Sequence, residues 1–97
     1  MSGYLIANVE IHDPAVYDQY RQKVGPIIAQ YGGRFIVRGA AAETREGSLS
    51  LKRVVVLEFP NLDAARRFYD NAEYAPVKAL RLASARSDVM LVEGYAG

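Results

Sequence analysis

Residues 4–11 alternate strictly: Leu5, Ala7, Val9 and Ile11 fall on one face, Tyr4, Ile6, Asn8 and Glu10 on the other. A period of two over this length predicts a strand, and the partly apolar second face predicts a central one. Asp13-Pro14 then predicts a helix start, because Asp caps free N–H groups and proline loses nothing at the first helical position. Apolar residues at spacings of three and four (Val16 or Tyr17, then Tyr20, Val24, Ile27, Ile28 and Tyr31) carry the helix to Tyr31, with a kink or short break expected at Gly25-Pro26. Gly32-Gly33 ends it and turns the chain into a second strand over residues 34–38. A bulge or close approach is expected at Gly39, the strand resuming through residues 42–45 to a turn at Glu46-Gly47-Ser48.

Residues 52–59 predict a third strand, whose Val54-Val55-Val56-Leu57 run suits a position covered on both faces. Asn61 caps a second helix with Leu62, Ala65, Phe68 and Tyr69 on its buried side. Asn71 and Ala72 loosen it before a further helical piece from residue 73 to about 82, and residues 88–93 form the last strand. The order βαββαβ predicts a ferredoxin-like α+β domain over residues 1–97, with antiparallel sheet order 4-1-3-2 and both helices on one face. No Gly-x-Gly-x-x-Gly follows Ile11, so a dinucleotide-binding fold is excluded. One helical layer leaves the other sheet face bare, and Ile6 with part of the Val54–Leu57 run would be wet there. A homodimer through the sheet faces is therefore expected.

Composition narrows the function classes. Ninety-seven residues make one domain, and a 51% apolar content is generous for so small a core. Twelve Lys and Arg against eleven Asp and Glu, scattered along the chain, form no concentrated basic face, so nucleic acid is not an expected partner. There is no cysteine, no stretch of about 20 apolar residues and no basic-then-apolar leader. A cytoplasmic protein without membrane contact is the expectation. With a single histidine, His12, and no phosphate-binding or metal-ligating motif, neither a cofactor nor a metal is expected, and no catalytic residue stands out.

The chemistry-bearing residues form two groups. Arg38 follows an apolar strand and precedes Gly39, where it could grip a carboxylate or phosphate with its planar fork, or instead pair with Glu58 or Glu93. Tyr17, Tyr20, Tyr31, Phe68, Tyr69 and Tyr74 come from both helical regions, and tyrosines can line a pocket while their hydroxyls hold a polar ligand. Arg81 could add positive charge near Tyr69, Asn71 and Tyr74. The expected ligand-binding set is Arg38, Tyr20, Tyr69, Tyr74 and Arg81, for a small anionic or aromatic molecule between helices and sheet. Simple packing of these tyrosines in a structural dimer is the alternative.

Asp13-Pro14 with Tyr17 and Tyr20, Tyr31-Gly32-Gly33-Arg34-Phe35, Arg38-Gly39, Glu58-Phe59-Pro60, Ala64-Ala65, Phe68-Tyr69, Tyr74, Arg81 and Val92-Glu93-Gly94 together resemble the bacterial family known as domain of unknown function 1330. The resemblance spans essentially the whole chain. It implies a dimeric α/β barrel in which two ferredoxin-like sheets face each other. Folds related to it serve monooxygenases and isomerases, so a cofactor-independent monooxygenase or isomerase acting on a small organic acid or phenol is the enzymatic form of the expectation.

Overall fold

The computed structural model describes residues 1–96. Its elements are β1 (Gly3–Ile11), α1 (Pro14–Gln30), β2 (Arg34–Ala40), β3 (Val54–Phe59), α2 (Leu62–Asp70), α3 (Tyr74–Ser84) and β4 (Ala85–Glu93). The four strands form one antiparallel sheet in the order β2-β3-β1-β4, the ferredoxin-like order expected from the sequence. β2 pairs only with β3 and β4 only with β1, so both outer strands keep a free edge. The sheet is open. This corrects the α/β barrel implied by the family resemblance, because closure needs the two edge strands to find partners around a ring.

Local chemistry explains the boundaries. Asp13 Oδ1 accepts from the Val16 N–H at 3.2 Å, and Pro14 opens α1. The helix then runs to Gln30 with Pro26 inside it, which corrects the short break offered as one of the two outcomes there. Pro26 and Gln22, whose carbonyl loses its intrahelical donor, are both exposed, so water can serve that carbonyl. Val24 on one side of Pro26 and Ile27 and Ile28 on the other are anchored in the core. At the C-terminus Gly32 takes φ +77°, and the N–H groups of Gly32 and Gly33 donate to Ala29 and Ile28 carbonyls at 3.0 Å. A Cβ at Gly33 would press on the Phe59 ring, so this glycine allows helix and sheet to meet.

β2 ends at Ala40 and does not resume. Residues 41–53 have no regular structure, and β3 begins at Val54 rather than residue 52. Gly39 at φ +76° shifts the register just before that segment. Asn8 secures the segment instead: its amide donates to the Ser50 carbonyl at 3.1 Å, and its oxygen accepts from the Lys52 N–H at 2.9 Å.

Asn61 caps α2, accepting from the Ala64 N–H at 2.8 Å. Asn71 joins α2 to α3 by donating to the Phe68 carbonyl at 2.6 Å and accepting from the Tyr74 N–H at 2.8 Å. β4 starts at Ala85, three residues earlier than expected, where it can pair with the end of β1.

Leu5, Ala7 and Val9 of β1 and Leu57 and Phe59 of β3 face the helices and meet Val24, Ile27, Ile28, Ala65 and Phe68 in the core. The opposite face carries a row in which Ile6 stands between Val56 and Met90. Met90 and Val92 are 52% and 41% exposed, a degree of wetting that leaves this face without an apolar covering. Among the described residues, no helix is long and apolar enough to cross a membrane.

Candidate functional site

The helical layer does not seal the sheet completely. Where β2 ends and β3 begins, a cavity of about 160 Å³ lies between the sheet and helices α1 and α3. Its floor is Leu5, Ala7, Val9, Val55, Leu57 and Val89, and Val24 and Ile28 close it from α1. An engineered apolar cavity of about 150 Å³ holds a benzene molecule, so this space suits one six-membered ring or a short branched chain.

All five residues of the expected ligand-binding set line this cavity. Tyr20 comes from α1, Tyr69 from α2, Tyr74 and Arg81 from α3, and Arg38 from β2. The Tyr20 and Tyr74 hydroxyls share a hydrogen bond of 3.0 Å. Arg81 is 5% exposed, and its Nη2 donates to the Tyr69 hydroxyl at 3.4 Å. Among the described residues no carboxylate pairs with Arg81, so a guanidinium charge is buried against phenols alone. Burial opposes that charge, yet the oxygens of Tyr74, Tyr20 and Tyr69 around it hold its pKa above the ordinary arginine value.

Arg38 does not pair with Glu58 or Glu93. It is exposed, and its guanidinium sits 4.4 Å from the centre of the Phe35 ring at the cavity mouth. Glu58 is engaged on the other sheet face, where it accepts from Arg34 at 2.6 and 2.9 Å, from Ser2 at 2.9 Å and from Tyr4 at 3.3 Å. The Arg34 hydrogen bonds, with those from Ser2 and Tyr4, hold the Glu58 carboxyl below the usual glutamate value. His12 is exposed at the β1–α1 junction and does not line the cavity. Tyr31 packs edge-on against Phe68, at 6.5 Å between ring centres, and is likewise outside the lining.

Three further polar residues line the space: Tyr17, Arg21 and Arg53. Arg21 lies four residues after Tyr17 on α1, and its guanidinium sits 5.4 Å from the Tyr17 ring centre. Arg53 precedes β3 in phase with Val55 and Leu57, and that period of two was the available signal for its orientation.

Burial is the main cause that raises the pKa of both Tyr17 and Tyr20 above the ordinary phenol value, and the Tyr74 hydroxyl adds to the effect at Tyr20. Both therefore remain neutral hydrogen-bond donors at physiological pH. Four arginines line the cavity and no Asp, Glu or His does, so its polar groups are donors matched to an oxyanion.

Comparisons with known proteins agree with this fold. The chain resembles a crystal structure of a protein of unknown function from Rhodopseudomonas palustris with a TM-score of 0.79 and 16% identity, covering 99% of this chain and 84% of that one. It resembles SnoaB, a cofactor-independent oxygenase from Streptomyces nogalater, with a TM-score of 0.63 and 16% identity, covering 99% of this chain and 95% of that one. A dimeric ferredoxin-like protein of unknown function from Jannaschia sp. CCS1 matches with a TM-score of 0.63 and 13% identity, covering 97% of this chain and all of that one (100%). At these identities the likeness concerns the fold alone. A comparison with the curated proteins finds no match. The model of the family described as domain of unknown function DUF1330 matches residues 2–95, and the chain belongs to that family.

Proposed function

We propose that this protein binds a small organic anion, a one-ring or short-chain carboxylate or phenolate, in the cavity between its helices and sheet. The observation that carries this reading is the lining: an apolar floor with four arginines, two of them, Arg21 and Arg81, in contact with tyrosines, and no carboxylate. A cavity near 160 Å³ with this donor set favours a ring bearing one anionic group over a large polycyclic ligand. The ring would rest on Val9, Val55 and Leu57, while the anionic oxygens would meet the arginines and phenols.

The same lining disfavours an isomerase. Moving a proton between carbons needs a base within reach, and no carboxylate or imidazole lines the cavity, while Tyr17 and Tyr20 hold their protons. Oxygenation without a cofactor is a second reading. Tyr20, Tyr74 and Arg81 would stabilise negative charge on a substrate oxygen, and the fold is shared with an oxygenase of that kind.

The bare sheet face supports a homodimer formed by the open faces of two copies, and the Jannaschia relative is dimeric. A thermal-shift screen of small carboxylic acids and phenols against their neutral amides and ethers tests the binding reading. Stabilisation by the anions alone is expected; stabilisation by neither class would refute it. Oxygen uptake with a phenol that binds would separate catalysis from binding.

A further inference from the structure

Arg53 is the cavity arginine that internal contacts serve least. Arg81 is surrounded by phenol oxygens, Arg21 lies over Tyr17, and Arg38 lies over Phe35. Arg53 has no such arrangement. Its Nε is buried and has no hydrogen-bond partner among the described residues, and none of the ion pairs there includes it. A buried charged donor left unmatched is costly, and a bound oxyanion would remove that cost.

The fold nevertheless holds this side chain in place. The Arg53 carbonyl accepts from the Val9 N–H at 2.9 Å, which ties its backbone to the central strand. Opposite it lies Gly39, at the register shift between Arg38 and Ala40. A Cβ built at Gly39 would overlap the Arg53 guanidinium, and its φ of +76° already disfavours any other residue. The bulge in β2 thus makes a notch that admits the guanidinium. The Arg53 charge acts on the Tyr17 hydroxyl, as do those of Arg21 and Arg81, and all four residues line the cavity.

We infer that Arg53, seated in the Gly39 notch, is the anion anchor of the cavity and takes the carboxylate or phenolate oxygen of a one-ring ligand. This rests on reading the cavity as a small-anion site and names the residue that grips the anion there. Arg38, exposed at the mouth, contributes less because water screens its charge. A planar fork matters here as well as charge, since only arginine offers Nε beside a terminal nitrogen to one carboxylate.

The test is calorimetric titration of benzoate into the wild-type protein and the variants R53Q, R53K, R38Q and R66Q, each first checked for folding by circular dichroism. Arg66 is exposed on α2 away from the cavity, so R66Q removes the same charge without touching the site. R53Q should weaken benzoate about tenfold or more, and R53K by several-fold because it keeps the charge but loses the fork. R38Q should lose about threefold or less, and R66Q should match wild type. Wild-type affinity in R53Q, or in R53K should R53Q fail to fold, would overturn the anchor while leaving the site. Absence of saturable benzoate binding by the wild-type protein would overturn both.

Discussion

The hydroxyls of Tyr20 and Tyr74 lie 3.0 Å apart, joining α1 to α3 above the sheet. Their rings are tilted by 58° with centres 6.5 Å apart, so the hydrogen bond closes a contact that stacking alone would leave loose. Tyr20→Phe should remove about 1 kcal/mol of stability, lowering the melting temperature by about 4–8 °C for a domain of this size. It should also weaken anion binding, because Tyr20 lines the cavity. Thermal melts with and without benzoate check both effects. An unchanged melting temperature would mean that this hydrogen bond contributes nothing to holding the helices together.

Arg81 should trade stability for binding. Its guanidinium is buried without a carboxylate, and replacing such a charge by an apolar side chain of similar length is often neutral or stabilising. Arg81→Met should therefore melt at the wild-type temperature or above it and bind benzoate at least about tenfold more weakly. The Tyr20–Tyr74 hydrogen bond does not involve Arg81, while Tyr69 loses the bond it accepts from the guanidinium. A strongly destabilised Arg81→Met protein would show instead that the guanidinium is structural.

Alkaline pH should expose the buried phenols. The folded-state pKa values of Tyr17 and Tyr20 are raised by burial, so their contribution is complete below the unfolded phenol value of about 10 and is lost as pH rises through the folded values. Absorbance at the phenolate band should therefore rise in two stages, the second accompanying loss of the circular-dichroism signal. Ionisation of all seven tyrosines in one native-state step would contradict the burial of this pair.

The open sheet face should associate. Ile6, flanked in register by Val56 and Met90, offers an apolar row that one helical layer cannot cover. Sedimentation equilibrium should give about twice the 10.7 kDa chain mass, and Met90→Glu should reduce it towards one chain. A wild-type monomer at micromolar concentration would refute association through this face.

Much of the fold was legible because its signals are local. Asp13-Pro14, Gly32-Gly33 and Asn61 mark boundaries through capping and turn chemistry that acts within a few residues. The continuity of α1 through Pro26 was not legible, since it depends on which residues the sheet anchors on either side. The end of β2 at Ala40 depended on pairing with β3, and the openness of the sheet is a property of its two edges. At the site, the tyrosines and Arg81 stood out by residue type and helical spacing. Arg53 did not: beside Lys52 it reads as part of a solvated pair, and its relation to Gly39 exists only through the register of two strands.

Benzoate and benzamide have nearly the same shape and differ in charge, so their comparison isolates the arginine lining. Calorimetric titration of the wild-type protein should show saturable benzoate binding and benzamide at least about tenfold weaker, the difference expected of charge-assisted hydrogen bonds. Equal affinity for the two, or binding of benzamide alone, would contradict the reading of this cavity as an anion site.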